Sequence, residues 1–207
     1  MYSTPFEEFV VLWVLIDPIG SIAIFAAATA NYSAAQRRVI ALQGTFVAAG
    51  LLMFFLIVGQ FLIDALGISL DAFQISGGII LFLFAIKMIF STPNATPADP
   101  GAGENPAVYP IGVPGLAGPG SLLGIVLLTD NNRFSVPEQV VTASLTMLVL
   151  AVAFVFMLAA TPILKVIGQN GAAIISRVMG LVLASVAVDN VILAMRHVMA
   201  QGLPILN

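Results

Sequence analysis

The chain has 207 residues, 60% of them hydrophobic and only 8% charged, with a formal net charge of −3. A water-soluble domain carries about a quarter of its residues as charges, so composition alone assigns this chain to a membrane and leaves almost nothing for a soluble domain. The absence of cysteine excludes disulfides, thiolate metal sites and cysteine nucleophiles, and seven Lys and Arg residues leave no basic patch for nucleic acid.

Crossing a bilayer takes roughly 20 apolar residues at about 1.5 Å each. The first stretch that qualifies is 6–30. Its leader, "MYSTPFEEFV", is acidic and no small-residue cleavage pattern follows, so it reads as a retained span. Near its centre stands "DPIG", residues 17–20. Proline inside a helix removes a donor and frees the carbonyl four residues earlier, that of Val14. Aspartate is a favoured N-cap and proline suits the first helical position, so Asp17 and Pro18 also read as a helix start. The first span is therefore expected to be two half-helices, the second beginning mid-membrane.

"SAAQ" at 33–36 is a capping box, a hydroxyl followed three places on by Gln or Glu, and it opens the second span, 38–63. The third span is 70–90. Residues 91–108, rich in Pro and Gly, read as a linker. The fourth span, 109–129, contains "VPGLAGPGSLLG" at 113–124: Gly118 is a permissible N-cap, Pro119 again takes the first helical position, and Pro114 adds a second break. A second capping box, "SVPE" at 135–138, precedes the fifth span, 139–166, and the sixth is 174–195.

The two capping boxes stand 102 residues apart (135 − 33), Pro18 and Pro119 stand 101 apart, as do Gly67 and Gly168, and "GIIL" at 78–81 matches "GLVL" at 180–183. A near-gapless register over half the chain implies an internal duplication. Three spans per half force the second half upside down relative to the first. The expected fold is all-α: a polytopic membrane protein of six transmembrane helices in two inverted three-helix repeats, broken in helices 1 and 4. It forms a single membrane domain, with repeat one at 1–90 and repeat two at 109–207. Inverted repeats around a mid-membrane site are the layout of many secondary transporters.

Arg37, Arg38, Lys87, Lys165 and Arg177 fall near the loops after spans one, three and five, against Arg133 and Arg196 on the other side. The positive-inside rule then puts the linker in the cytoplasm and both termini outside. Opposed half-helix starts would aim backbone N–H groups and two helix dipoles into the space between them, which suits a carboxylate, while Asp17 and freed carbonyls suit an ammonium group or a coupling cation. The expected substrate-binding set is Asp17, Pro18, Gly20, Ser21, Gly118, Pro119, Gly120 and Ser121. Asp17 and Asp189 are the candidates for ion coupling, since an acid in a span is costly to keep idle. Lys87 reads as a snorkelling lysine and His197 as an interfacial residue. No cofactor or metal site is expected, and a soft-metal carrier is disfavoured without His or thiolate ligands in the spans.

"DPIG" at 17–20, "QRR" at 36–38, "LGISLDAFQISGGIILFLFAIKMIF" at 66–90, "YPIGVPGLAGPGS" at 109–121 and "SRVMGLVLASVAV" at 176–188 together resemble the MarC family of six-span bacterial membrane proteins, grouped with small neutral amino acid transporters and more distantly with the LysE superfamily of exporters. The resemblance implies a bacterial inner-membrane protein with outside termini that moves glycine, alanine or similar solutes. Its partners are then the lipid bilayer, the solute and H⁺ or Na⁺ as coupling ion, with a homo-oligomer allowed. This chain departs from the family pattern at Ser21 and Ala23, where asparagine and proline are usual, at Asp189, where glutamine is common, and at Lys87, where an acidic or neutral residue is expected. The alternatives are a carrier of another small solute or metal, and a non-transporting scaffold or stress protein. An enzyme is disfavoured, because Asp17 with Asp189 is the only conceivable acid pair in the spans.

Overall fold

The computed structural model describes residues 4–90, 105–131 and 133–201, and their regular structure is entirely helical. The elements are α1 (Pro5–Ile16), α2 (Pro18–Ala28), α3 (Ala34–Ala65), α4 (Leu70–Phe90), a wide-turned segment Ala107–Leu116, α5 (Pro119–Leu128), α6 (Val136–Leu158) and α7 (Ala160–Gln201). Pro5–Ala28, Ala34–Ala65, Leu70–Phe90, Val136–Leu158 and Asn170–Ala200 are each long and apolar enough to cross a membrane. The wide segment and α5, bent by 53° where they meet, are long and apolar enough for a sixth span when taken as a pair.

Several boundaries shift by a few residues from the sequence reading: the second span is Ala34–Ala65 and the sixth Asn170–Ala200. The expected linker, 91–108, overlaps the wide segment at Ala107 and Val108; its residues 91–104 lie outside those described. The fifth span ends at Leu158 rather than 166. A new helix begins at Ala160 with Pro162 in its first turn, where a missing N–H costs nothing.

Both capping boxes form. Gln36 accepts from the Ser33 N–H at 2.9 Å, and Glu138 accepts from the Ser135 N–H at 2.7 Å and from its hydroxyl at 2.6 Å. Gly67, just past α3, and Gly168, which interrupts α7 ahead of the sixth span (ψ 173), both have φ +67, a positive φ that glycine adopts without a Cβ penalty.

Packing repeats at the same offset. α4 and α7 run antiparallel, and a second buried cluster, smaller than the main core, joins Leu81 and Ala85 of α4 to Leu183, Ala184 and Ala187 of α7, with Leu15 of α1. The main core gathers Leu12, Ile16, Leu52, Ile111, Ile125, Leu150 and Met157 from α1, α3, the wide segment, α5 and α6. Phe6, Phe46, Ile57, Phe61, Leu83 and Leu181 are exposed around the outside, as a lipid-facing surface requires. Phe54 and Phe82 are exposed as well, in keeping with lipid-facing or packing roles.

Candidate functional site

Asp17 ends one helix and begins another. Its N–H donates to the Trp13 carbonyl at 3.0 Å, closing α1, and its carbonyl accepts from the Ser21 N–H at 3.1 Å, opening α2. One carboxylate oxygen, Oδ1, accepts from the Gly20 N–H at 3.0 Å as the N-cap of α2. The backbone here is left-handed (φ 50, ψ 66), a conformation that aspartate tolerates better than most residues because its short polar side chain bonds locally. Asp17 is 8% exposed and stands 12 residues beyond the start of α1 and 11 before the end of α2, at the middle of the span.

The carboxylate lies directly over Gly20. A Cβ built there would be 2.0 Å from Oδ2, so the glycine is what lets the acid sit in this place. Ser21 donates its hydroxyl to the Pro18 carbonyl at 2.7 Å.

The matching break in the fourth span is wider, for a local reason. A residue before proline is pushed out of the helical region. Tyr109 (φ −127, ψ 128) precedes Pro110 and Val113 (φ −134, ψ 125) precedes Pro114, both through cis bonds, and the turns around them open to five-residue spacing, Ile111 N–H to the Pro106 carbonyl and Ala117 N–H to that of Gly112. Gly118 then caps α5 with extended backbone but has no side chain to offer the first-turn N–H groups. Ser121 is fully buried and turns its hydroxyl back to the Leu116 and Gly118 carbonyls, each at 3.0 Å.

α1 packs on α5 and α2 on the wide segment, so α2 and α5 leave the two breaks in opposite directions with their N-termini facing the centre. A cavity of about 650 Å³ joins them. Of the expected binding set, Asp17, Gly20, Ser21, Gly118, Pro119 and Gly120 line it; Pro18 and Ser121 stand behind the wall. The walls draw Leu15, Leu81 and Leu183 from one buried cluster and Ile16 from the other. Toward one side they include Ala27, Ala30, Arg37, Lys87, Tyr109 and Ser176, and because Ala27, Ala30 and Lys87 are exposed, the cavity opens there.

In the sequence Arg37 is a topology marker and part of the "QRR" motif. Its guanidinium in fact closes the far end of α2, donating to the Thr29 carbonyl at 2.9 Å and the Ala30 carbonyl at 3.1 Å, and reaching the Thr161 hydroxyl at 3.1 Å. A cation over the last carbonyls of a helix is favoured by its dipole. Lys87 lines the mouth of the cavity and makes no ion pair or hydrogen bond among the described residues. The signal for this was helical spacing, since Leu81, Phe84 and Met88 share its wall. Sequence reading also missed a matched pair of terminators: Thr29 and Thr129 are the C-caps of α2 and α5, both buried, each donating its hydroxyl at 2.7 Å to the carbonyl four residues back.

Asp189 is not brought to this cavity. It is exposed on α7 in a shallow depression with Phe82, Ser185 and Val188, so it does not assemble an acid pair with Asp17. Lys87 and Asp189 lie at opposite ends of the α4 and α7 pair. His197 approaches both carboxylate oxygens of Asp71 at 2.9 Å, tying the end of α7 to the start of α4. No group of three or more His, Asp or Glu that could hold a metal ion occurs among the described residues.

A family model described as "MarC family integral membrane protein" matches residues 2–199. The chain is 32% identical to the "UPF0056 inner membrane protein YhgN" of Escherichia coli K12, over 86% of this chain and 89% of that one. It is 31% identical to the "UPF0056 membrane protein MJ1677" of Methanocaldococcus jannaschii, over 88% and 91% of the two chains. An Archaeoglobus fulgidus "UPF0056 membrane protein" is 29% identical over 89% and 88%. No solved structure matches the chain.

Proposed function

The chain belongs to the MarC family of integral membrane proteins, and from that premise we propose that it is a secondary transporter of a small neutral amino acid of the glycine or alanine kind. One observation carries the reading: Asp17 and the side-chain-free start of α5 at Gly118 and Gly120 face a single cavity at the middle of the spans. The open first turn of α5 suits the carboxylate of a zwitterion, because unsatisfied N–H groups and the helix dipole both favour an anion. Asp17, with Oδ1 committed to Gly20, has Oδ2 left for the ammonium group. A central acid costs about 2.5–3.5 kcal/mol on insertion scales, which argues against an idle one.

The cavity of about 650 Å³ exceeds what glycine or alanine fills. The seat is the part between the breaks, lined by Asp17, Gly118 and Gly120, and the rest is the way in. Lys87 and Arg37 at the mouth give the entrance a positive field that draws the carboxylate end of the solute inward. By the positive-inside rule this mouth faces the cytoplasm and both termini lie outside, in an inner membrane like that named for the Escherichia coli relative. Asp17 is also the group through which H⁺ or Na⁺ would couple.

The test is uptake of labelled glycine and alanine by the protein in liposomes under H⁺ or Na⁺ gradients, beside Asp17→Asn. Saturable uptake that the variant loses supports the reading; no saturable uptake of either solute, with the variant indistinguishable, overturns it. The basic mouth and the volume favour one other cargo, a larger solute bearing a carboxylate. In the same assay it would show as competition by acidic amino acids with no uptake of alanine.

A further inference from the structure

The cavity walls have counterparts in the other half of the chain at offsets of 101 or 102, and the counterparts are shut. Ala27 is exposed on the open wall, whereas Leu128, at the matching place, is 3% exposed. Ile24 lines the cavity and Ile125 is fully buried. Ser176 and Met88 line it too, while Gln74 and Asn190, their counterparts, are hydrogen-bonded to each other at 3.1 Å.

The closed side is held by leucines seated on glycines that the open side lacks. A Cβ on Gly124 would lie 2.3 Å from Leu15 Cδ1, on Gly120 2.6 Å from Leu81 Cδ1, and on Gly77 2.8 Å from Leu123 Cδ1. The corresponding residues toward the mouth are Ala23, Ile19 and Met179. Bulk at those three places prevents the same tight approach, so the side that is open here is the one with the larger residues.

We propose that the molecule has a second state in which the Leu15, Leu81 and Leu123 plug withdraws from Gly124, Gly120 and Gly77 and the cavity opens on the opposite side. Its wall there is made by Gln74, Leu128, Asp189 and Asn190, the counterparts of Ser176, Ala27, Lys87 and Met88. Asp189, which has no place in the cavity seen here, thereby takes the position at that mouth that Lys87 holds at this one. The two mouths carry opposite charge. This deepens the transport reading and rests on it.

The native chain has no cysteine, so single cysteines report without background. The full chain is reconstituted in vesicles as Ala27→Cys, Leu128→Cys or Gln74→Cys, and a charged, membrane-impermeant maleimide is added from either face. Ala27→Cys reacts from one face; Leu128→Cys and Gln74→Cys react more slowly, from the other. Adding Gly124→Val, which fills the seat of Leu15 and so penalises only the state seen here, raises the two slow rates about tenfold or more and slows Ala27→Cys. If Leu128→Cys and Gln74→Cys are untouched from both faces while Ala27→Cys reacts, the second state does not exist. That comparison needs only the otherwise unchanged chain, so it stands even where Gly124→Val fails to fold. Labelling requires no cargo: two-sided labelling without glycine or alanine uptake keeps this inference and removes the cargo, and uptake with one-sided labelling does the reverse.

Discussion

Gly78 and Gly180 occupy the same place in two antiparallel helices: a Cβ on Gly78 would lie 3.1 Å from the Ala187 carbonyl oxygen, and one on Gly180 3.1 Å from that of Ala85. Both glycines and both alanines are 102 positions apart (180 − 78 and 187 − 85). Each helix therefore uses a glycine to bring its backbone against its counterpart, and the contact is its own image under a two-fold rotation. Small residues that let backbones approach are how apolar helices associate in lipid, where there is no hydrophobic drive between them.

Gly78→Leu and Gly180→Leu should each destabilise the protein by about 1–3 kcal/mol through overpacking, and by similar amounts because the contacts are equivalent. Gly50→Leu is the control, since nothing lies within 4 Å of a Cβ there. Thermal melting in detergent reads all three; a Gly180→Leu protein as stable as Gly50→Leu would show that the contact is not what holds α4 to α7.

On the transport reading Asp17 has two jobs, cap and solute contact, that substitution separates. Asparagine keeps an N-cap acceptor and tolerates the left-handed backbone, so Asp17→Asn should melt close to the parent while losing saturable uptake. Asp17→Ala loses the cap too and should cost about 1 kcal/mol more. Equal uptake by Asp17→Asn and the parent would leave the acid as a cap alone.

Gly20→Ala should imitate Asp17→Asn without touching a charge, because its methyl group would occupy the space of Asp17 Oδ2. The expected result is uptake lowered along with that of Asp17→Asn. Normal uptake by Gly20→Ala would mean that the carboxylate does not need to lie where it does.

Lys87→Gln should raise the half-saturating solute concentration roughly tenfold on the mouth side, as loss of a charge-assisted contact worth about 1.5 kcal/mol implies. The maximal rate should change little. An Arg replacement, which keeps the charge, should restore most of the affinity; if it does not, the lysine acts through packing rather than its charge.

A reporter that is active only outside the cytoplasm, fused after the last span, should be active. Activity of a cytoplasmic-side reporter there would reverse the assignment of Arg37 and Lys87 to the inner mouth.

The number of spans, their order and the two breaks were legible in the sequence, because each depends on local chemistry: apolar length, capping boxes at Ser33 and Ser135, and Asp17 or Gly118 followed by proline. The widening of Ala107–Leu116 follows as directly from two residues that precede prolines. Thr29 and Thr129 were equally local, at matching ends of the half-helices, and a search for hydroxyls four residues from a carbonyl near a helix end would have found them.

What tertiary structure alone decided is which faces meet. Lys87 and Asp189 are equivalent in the repeat, yet one lines the cavity with Asp17 and the other lies outside it. The register that makes them equivalent is written in one dimension, whereas the side on which the bundle opens depends on whether Leu15, Leu81 and Leu123 find glycine or something larger across the gap. Those contacts join residues as far apart as Leu15 and Gly124, and no local propensity encodes a fit between side chains that only the packed bundle brings within 4 Å.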